Sequence, residues 1–143
     1  MATTRNVIGL DVGDRRVGVA IASLEARMAS PLLTIDRQVS DDIFLEISEL
    51  LKKHDAEVVV VGLPRDMEGR ETAQTRSARD FAATLEKSCG LPVHMQDEAA
   101  TSIAAEETLK ELGKPYQKGD IDKYAAAIIL DDWLANAVQT ESK

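Results

Sequence analysis

The chain is poor in aromatics, cysteine and histidine, and it has no long apolar run. Aromatic residues make up 3% of its 143 positions, which argues against a nucleic-acid platform built from stacked rings. Cys89 is the single cysteine, so no internal disulfide can form and a reducing compartment is expected. With only His54 and His94 beside it, a zinc site of the usual Cys/His kind is nearly excluded, and any metal would be held by oxygen. The longest apolar runs, VVVVGL and AAAIIL, are far too short to span a bilayer. The opening MATTRNVIGL lacks the basic segment followed by an apolar stretch that marks a signal peptide. A cytoplasmic protein with no membrane partner is therefore expected. Basic charge is also in deficit, with a formal net charge of -8 and a pI near 4.8. That argues against a general DNA-coating protein, whose affinity comes from neutralising phosphates with Lys and Arg. It leaves an enzyme that meets nucleic acid through a local basic patch and a bound cation.

What the chain does have is ordinary globular material, 44% hydrophobic and 29% charged. Its length suits one domain, residues 1–138, followed by a charged tail, 139–143, expected to fray. Residues 6–12 and 16–22 read as two strands joined by Gly13-Asp14, with a third strand over Pro31–Ile35. Ile8, Leu10 and Val12 share one face of the first strand, and Gly9 and Asp11 lie on the other. On the second strand Gly18, Ala20 and Ala22 are small, so that face is expected to leave room around the Asp11 carboxylate. A helix follows from Ser40, read as its cap, to Lys53. Glu57–Gly62 is apolar at every position after Glu57, the pattern of a strand covered on both sides in a parallel sheet. Another helix over Thr72–Ser88, a short strand over Pro92–Met95, and helices over Ala99–Leu112 and Ile121–Val138 complete the chain. The order predicts an α/β fold. Three strands form an antiparallel meander, two more join in parallel, and helices flank the mixed five-stranded sheet.

The acids have competing readings. Asp11 can be a turn residue bonding to backbone amides near Gly13. Asp97 and Glu98 can cap a helix and complement its dipole, and Asp120 and Asp122 can do the same for the last helix. Their joint placement points further, because Asp11 and the pair Asp97–Glu98 fall at carboxyl ends of strands, the edge of an open sheet where sites form. If the last helix begins beside that edge, three carboxylates converge. Such a cluster repels itself unless a cation neutralises it, and Mg²⁺ favours carboxylates and water.

Five stretches in this order carry a resemblance. GLDVGDRRVGVAIAS, ASPLLTI, VVVGLPRDMEG, QDEAATS and DIDKYAAAIIL are similar to successive motifs of the YqgF/RuvX family, from about Val7 to Leu134. The resemblance implies an RNase H-like fold and a metal-dependent nuclease acting on structured nucleic acid. The implied substrate is the 5′ end of the 16S ribosomal RNA precursor or branched DNA, as in a Holliday-junction resolvase. By position it makes Asp11, Glu98 and Asp122 the catalytic acids and Mg²⁺ ligands, with Asp97 as a helper and Mn²⁺ as the alternative ion. Water, rather than a protein nucleophile, would attack. The sequence departs from the family at Ala99 and Ala100, where Arg and Leu are usual, and at Lys123, where a small hydroxyl residue is common. A missing arginine removes a phosphate contact, for which Lys123 supplies some positive charge.

Basic candidates for a phosphate-binding rim are Arg15, Arg16 and Arg70, then Arg65, Lys114 and Lys118; each also reads as a solvated loop charge. Trp133 and Tyr124 read as core or helix-face residues. Two other functions compete: a nucleotide-binding domain, because DVGDRRVGVAI also resembles the phosphate-binding hairpin of actin-like ATPases and sugar kinases, and a non-catalytic ribosome-assembly module. A monomer and a homodimer are both consistent with the chain.

Overall fold

The computed structural model describes residues 5–98, 101–113 and 115–141. Strands β1 (Asn6–Val12), β2 (Arg16–Ser23) and β3 (Ala29–Asp36) form the antiparallel meander. Helix α1 (Ile43–Lys53) leads to β4 (Ala56–Pro64), and α2 (Ala73–Cys89) leads to β5 (Val93–Glu98). Helices α3 (Thr101–Leu112) and α4 (Lys118–Glu141) close the chain. The sheet order is β3-β2-β1-β4-β5, with β4 parallel to both β1 and β5. The mixed five-stranded sheet expected from the sequence is the one observed.

Alternation along the strands decides which helices cover which face. Ile8, Leu10, Val17, Val19, Val59 and Val61 form one buried cluster with Ile47 and Leu51 of α1 and Phe81 and Leu85 of α2. On the other face Val7, Ala20, Ala22 and Val60 pack against Ala126, Ala127, Ile129, Leu130 and Leu134 of α4. The sheet is thus sandwiched between α1/α2 and α4, and α3 packs on α4. Removing a fully buried side chain such as Leu130 would cost about 2–5 kcal/mol.

Several boundaries differ from those expected. Helix α1 is capped by Asp42, whose carboxylate accepts from the Leu45 amide at 3.2 Å. Ser40 instead spends its amide on the Asp36 carbonyl in the preceding turn. Strand β5 continues through Asp97 and Glu98, because β4 runs on to Pro64 and pairs with both. Ladder pairing overrides their preference for a helix cap. Helix α4 begins at Lys118 rather than Ile121: Asp120 accepts from the Gln117 amide at 2.9 Å, and Thr34 donates to the Gly119 carbonyl. Its backbone reaches Glu141. Ala99, Ala100, Lys114 and the side chain of Lys118 lie outside the described residues.

Candidate active site

The carboxyl ends of β1, β4 and β5 form one edge of the sheet, and the acids gather there. Asp11 stands opposite Gly18 near the end of β1, Glu98 ends β5 opposite Pro64, and Asp122 lies early in α4. The small-residue face was expected to leave room around Asp11. It is instead filled by the last helix. A Cβ on Gly18 would fall inside the backbone carbonyl of Asp122, and one on Gly9 would lie 3.0 Å from Leu130 Cβ. The missing side chains let α4 approach the sheet closely enough to bring Asp122 to the acidic edge. Gly62 does the same for Glu98, whose carboxylate lies over it where a Cβ would stand.

These neighbours act on one another electrically. Burial pushes the Asp11 carboxyl up to about 7, and the charges of Glu98 and then Asp122 push in the same direction. Asp122 has its own counter-charge, because Arg16 Nε donates to its carboxylate at 2.6 Å. Asp97 faces the other way. Its side chain is 66% exposed and accepts from Arg65 Nε at 3.1 Å, apart from the acids that act on Asp11.

Asp11 and Glu98 open onto a groove of about 570 Å³. The β1–β2 turn bounds it with Gly13 and Asp14, and α2 bounds it with Gln74, Ser77, Asp80, Phe81 and Thr84. Those helix positions recur at steps of three and four, so one stripe of α2 faces the cleft. The register of α2 is fixed at its start. Thr72 and Thr75 cap each other's backbone amides, and the buried Thr75 hydroxyl donates to the carbonyl of Pro64, the last residue of β4. Reading the sequence alone missed the stripe, although its spacing was there to be found.

Among the described residues, the basic side chains singled out in the sequence are paired with acids. Arg15 pairs with Asp36 at 3.7 Å, Arg70 with Asp66 and Glu68 at 2.9 Å each, and Lys123 with Asp120 at 3.4 Å. Trp133 is half-buried on α4 with its ring 5.6 Å from that of His94, a helix-face role as expected.

The donor chemistry suits a hard divalent ion, since carboxylate oxygens are its preferred ligands and one or two carboxylates with water and phosphate suffice for Mg²⁺. Asp11 and Glu98 supply such a pair on the groove. Among the described residues no three His, Cys, Asp or Glu side chains already close around a common point, in keeping with Asp122 being turned onto Arg16.

A mixed sheet in this order, with acids ending its first and fifth strands and opening its last helix, is an RNase H-like arrangement. The chain belongs to the RuvX family: the family model, described as "Holliday junction resolvase", matches residues 5–136. A relative from Maridesulfovibrio salexigens is 41% identical over 133 residues, covering 92% of this chain and 98% of its own. One from Chloroflexus aurantiacus is 44% identical over 130 residues, covering 90% and 85%. Both are named "Putative pre-16S rRNA nuclease". In three dimensions the chain is similar to Thermus thermophilus RuvC in complex with a Holliday junction substrate, with a TM-score of 0.60 at 19% identity, covering 95% and 97% of the two chains. The fowlpox virus Holliday junction resolvase gives 0.52 at 14% identity, covering 96% and 99%. At these identities the structural likeness establishes the shared fold. Among the described residues no helix is long and apolar enough to cross a membrane.

Proposed function

We propose that residues 1–138 form one nuclease domain that hydrolyses phosphodiester bonds in structured nucleic acid, with the 5′ end of pre-16S rRNA as its substrate and Mg²⁺ as its cofactor. The observation that carries this reading is the gathering of Asp11, Glu98 and Asp122 at one edge of the sheet, where desolvation and the two neighbouring charges raise the half-buried Asp11 carboxyl to about 7. A fold does not keep a charged group in so unfavourable a place for stability, and perturbed acids in a groove mark sites of chemistry. The names of the curated relatives support the RNA substrate.

In this reading Asp11 and Glu98 bind the ion directly, and Asp122 is the third acid. Bound there, a divalent ion would favour ionisation of the attacking water and stabilise the charge that builds on the leaving oxygen. The chain's own part is to hold these parts still. Gly18 and Gly62 admit Asp122 and Glu98 to the edge, and Arg16 fixes the Asp122 carboxylate. The hydroxyls of Ser77 and Thr84 and the Gln74 amide give the groove wall donors for a sugar–phosphate strand.

The test is cleavage of a 5′-extended 16S precursor RNA and of a four-way DNA junction, each with Mg²⁺ or Mn²⁺, beside the Asp11→Asn variant. Metal-dependent cutting of the RNA that Asp11→Asn abolishes supports the reading. Preferential cutting of the junction would move the substrate to DNA. Equal cutting by wild type and variant would remove Asp11 from the chemistry.

A further inference from the structure

A groove holding Asp11, Asp14, Asp80 and Glu98 repels the polyanion it is proposed to cut, and among the described residues its lining contains one cation, Arg37. This residue follows the end of β3 and had no part in the reading of the sequence. Its Nη1 donates to the Gly13 carbonyl at 2.8 Å, and its guanidinium carbon lies 5.4 Å from the centroid of the Phe81 ring. Its own amide donates to the Arg15 carbonyl at 2.7 Å, anchoring the backbone as well. The guanidinium is thus braced between the β1–β2 turn and α2, the two walls of the groove.

Both braces are neutral. Arg15, Arg16, Arg65, Arg70 and Arg79 each have a carboxylate within ion-pair distance. Among the described residues no carboxylate lies within that distance of Arg37. A carbonyl and a ring face orient a guanidinium without cancelling its charge, and a guanidinium has five N–H donors, of which the Gly13 carbonyl takes one. A pre-oriented arginine with no ion pair of its own loses little entropy when it meets an oxyanion and can grip it with two parallel hydrogen bonds.

We propose that Arg37 binds a backbone phosphate of the nucleic-acid strand lying in the groove and so holds it against the carboxylates. This rests on the nuclease reading above. Arg37 is then a substrate-positioning residue, and it would stand in for the arginine that the sequence lacks at Ala99.

The test measures binding apart from cutting. A fluorescein-labelled RNA carrying the mature 5′ end of 16S rRNA and its leader is titrated by anisotropy in Mg²⁺, over a range of salt. The proteins are Asp11→Asn alone and combined with Arg37→Ala, Arg37→Gln or Arg37→Lys. Arg37→Ala and Arg37→Gln are expected to weaken binding about tenfold. They should also lower the slope of log affinity against log salt by about 0.7–0.9, one released counterion. Arg37→Lys keeps the slope and recovers part of the affinity. In the wild-type background Arg37→Gln should raise KM for the same RNA more than it lowers kcat. If Arg37 were only a brace between Gly13 and Phe81, its variants would melt earlier with affinity and slope unchanged, and the assignment would be overturned. If Asp11→Asn binds neither this RNA nor a four-way DNA junction, the nuclease reading falls and the Arg37 assignment with it.

Discussion

Arg16 on β2 and Asp122 on α4 meet at 2.6 Å although 106 residues separate them in the chain. The pair ties the last helix to the meander beside Asp11, and it keeps one of three neighbouring acids compensated. Both side chains are mostly buried, 30% and 23% exposed, so the charges are weakly screened by solvent. Arg16→Ala should therefore destabilise the metal-free protein by about 1–2 kcal/mol, more than an exposed pair and less than a fully buried one. In an Asp122→Asn background the same substitution should cost much less. A double-mutant cycle by urea unfolding measures the difference; additive losses would show that the two side chains are not coupled.

Asp11 makes the metal-free protein's stability depend on pH in a direction opposite to that of a salt-bridged carboxylate. Its folded value of about 7 lies above the ordinary 3.8, so the folded chain binds that proton more tightly than the unfolded chain does. Below pH ~4 both states hold the proton and Asp11 carries no penalty. As pH rises from there to about 7 the unfolded state gives up its proton first and stability falls; above it the full penalty, on the order of 2–4 kcal/mol, remains. Asp11→Asn removes this term. Urea midpoints across this range should fall in wild type relative to the variant, and the variant should be the more stable apo-protein at pH 8. Parallel curves would mean that the Asp11 carboxyl is not held high.

Much of this architecture was legible in the residues. The β-branched run ending at Gly62 announced a doubly covered strand, whereas the small face of β2 suggested open room around Asp11 and is in fact where the last helix docks. What no local signal could say was which element would come close. Gly9 and Gly18 fit an open substrate face as well as a tightly docked helix, and only the α4 backbone lying over them decides. Asp97 and Glu98 show a second limit. Cap preference is a local property, whereas the β4–β5 ladder that claims both residues joins segments about thirty positions apart. The acids were found because residue type and strand position coincide. Arg37 was not, because a charge after a strand looks like any loop charge until the groove around it is seen.

Gly18 and Gly62 should fail in different ways when each becomes alanine. At Gly18 the new methyl meets the Asp122 carbonyl and the Lys123 amide nitrogen, which are helix backbone and can yield only if α4 moves. Gly18→Ala should cost about 3 kcal/mol or more, through overpacking and lost docking of the helix. At Gly62 the methyl meets the end of the Glu98 side chain and the Ile129 Cδ1 atom, both able to swing away. Gly62→Ala should stay folded with a loss of about 1–2 kcal/mol, yet lose most metal-dependent cleavage because Glu98 is displaced. Unfolding midpoints and cleavage rates, read together, check the contrast. A Gly62→Ala protein that cuts normally would show that Glu98 need not lie where the glycine lets it lie.

Binding of the proposed ion should release a measurable proton. At pH 7 the Asp11 carboxyl is close to its midpoint, so roughly half the molecules hold a proton that a divalent ion must displace. Mg²⁺ titration by calorimetry in two buffers of different ionisation enthalpy should then give about half a proton released per ion at pH 7, and almost none at pH 8.5. Apparent affinity should climb between pH 6 and 8 by up to about tenfold and then level off. Glu98→Gln should reduce the released fraction, because removing the stronger of the two repelling charges lowers the Asp11 carboxyl toward its ordinary range. Asp11→Asn should abolish the release. Mg²⁺ binding with no proton exchanged at pH 7 in the wild type would place the ion away from Asp11.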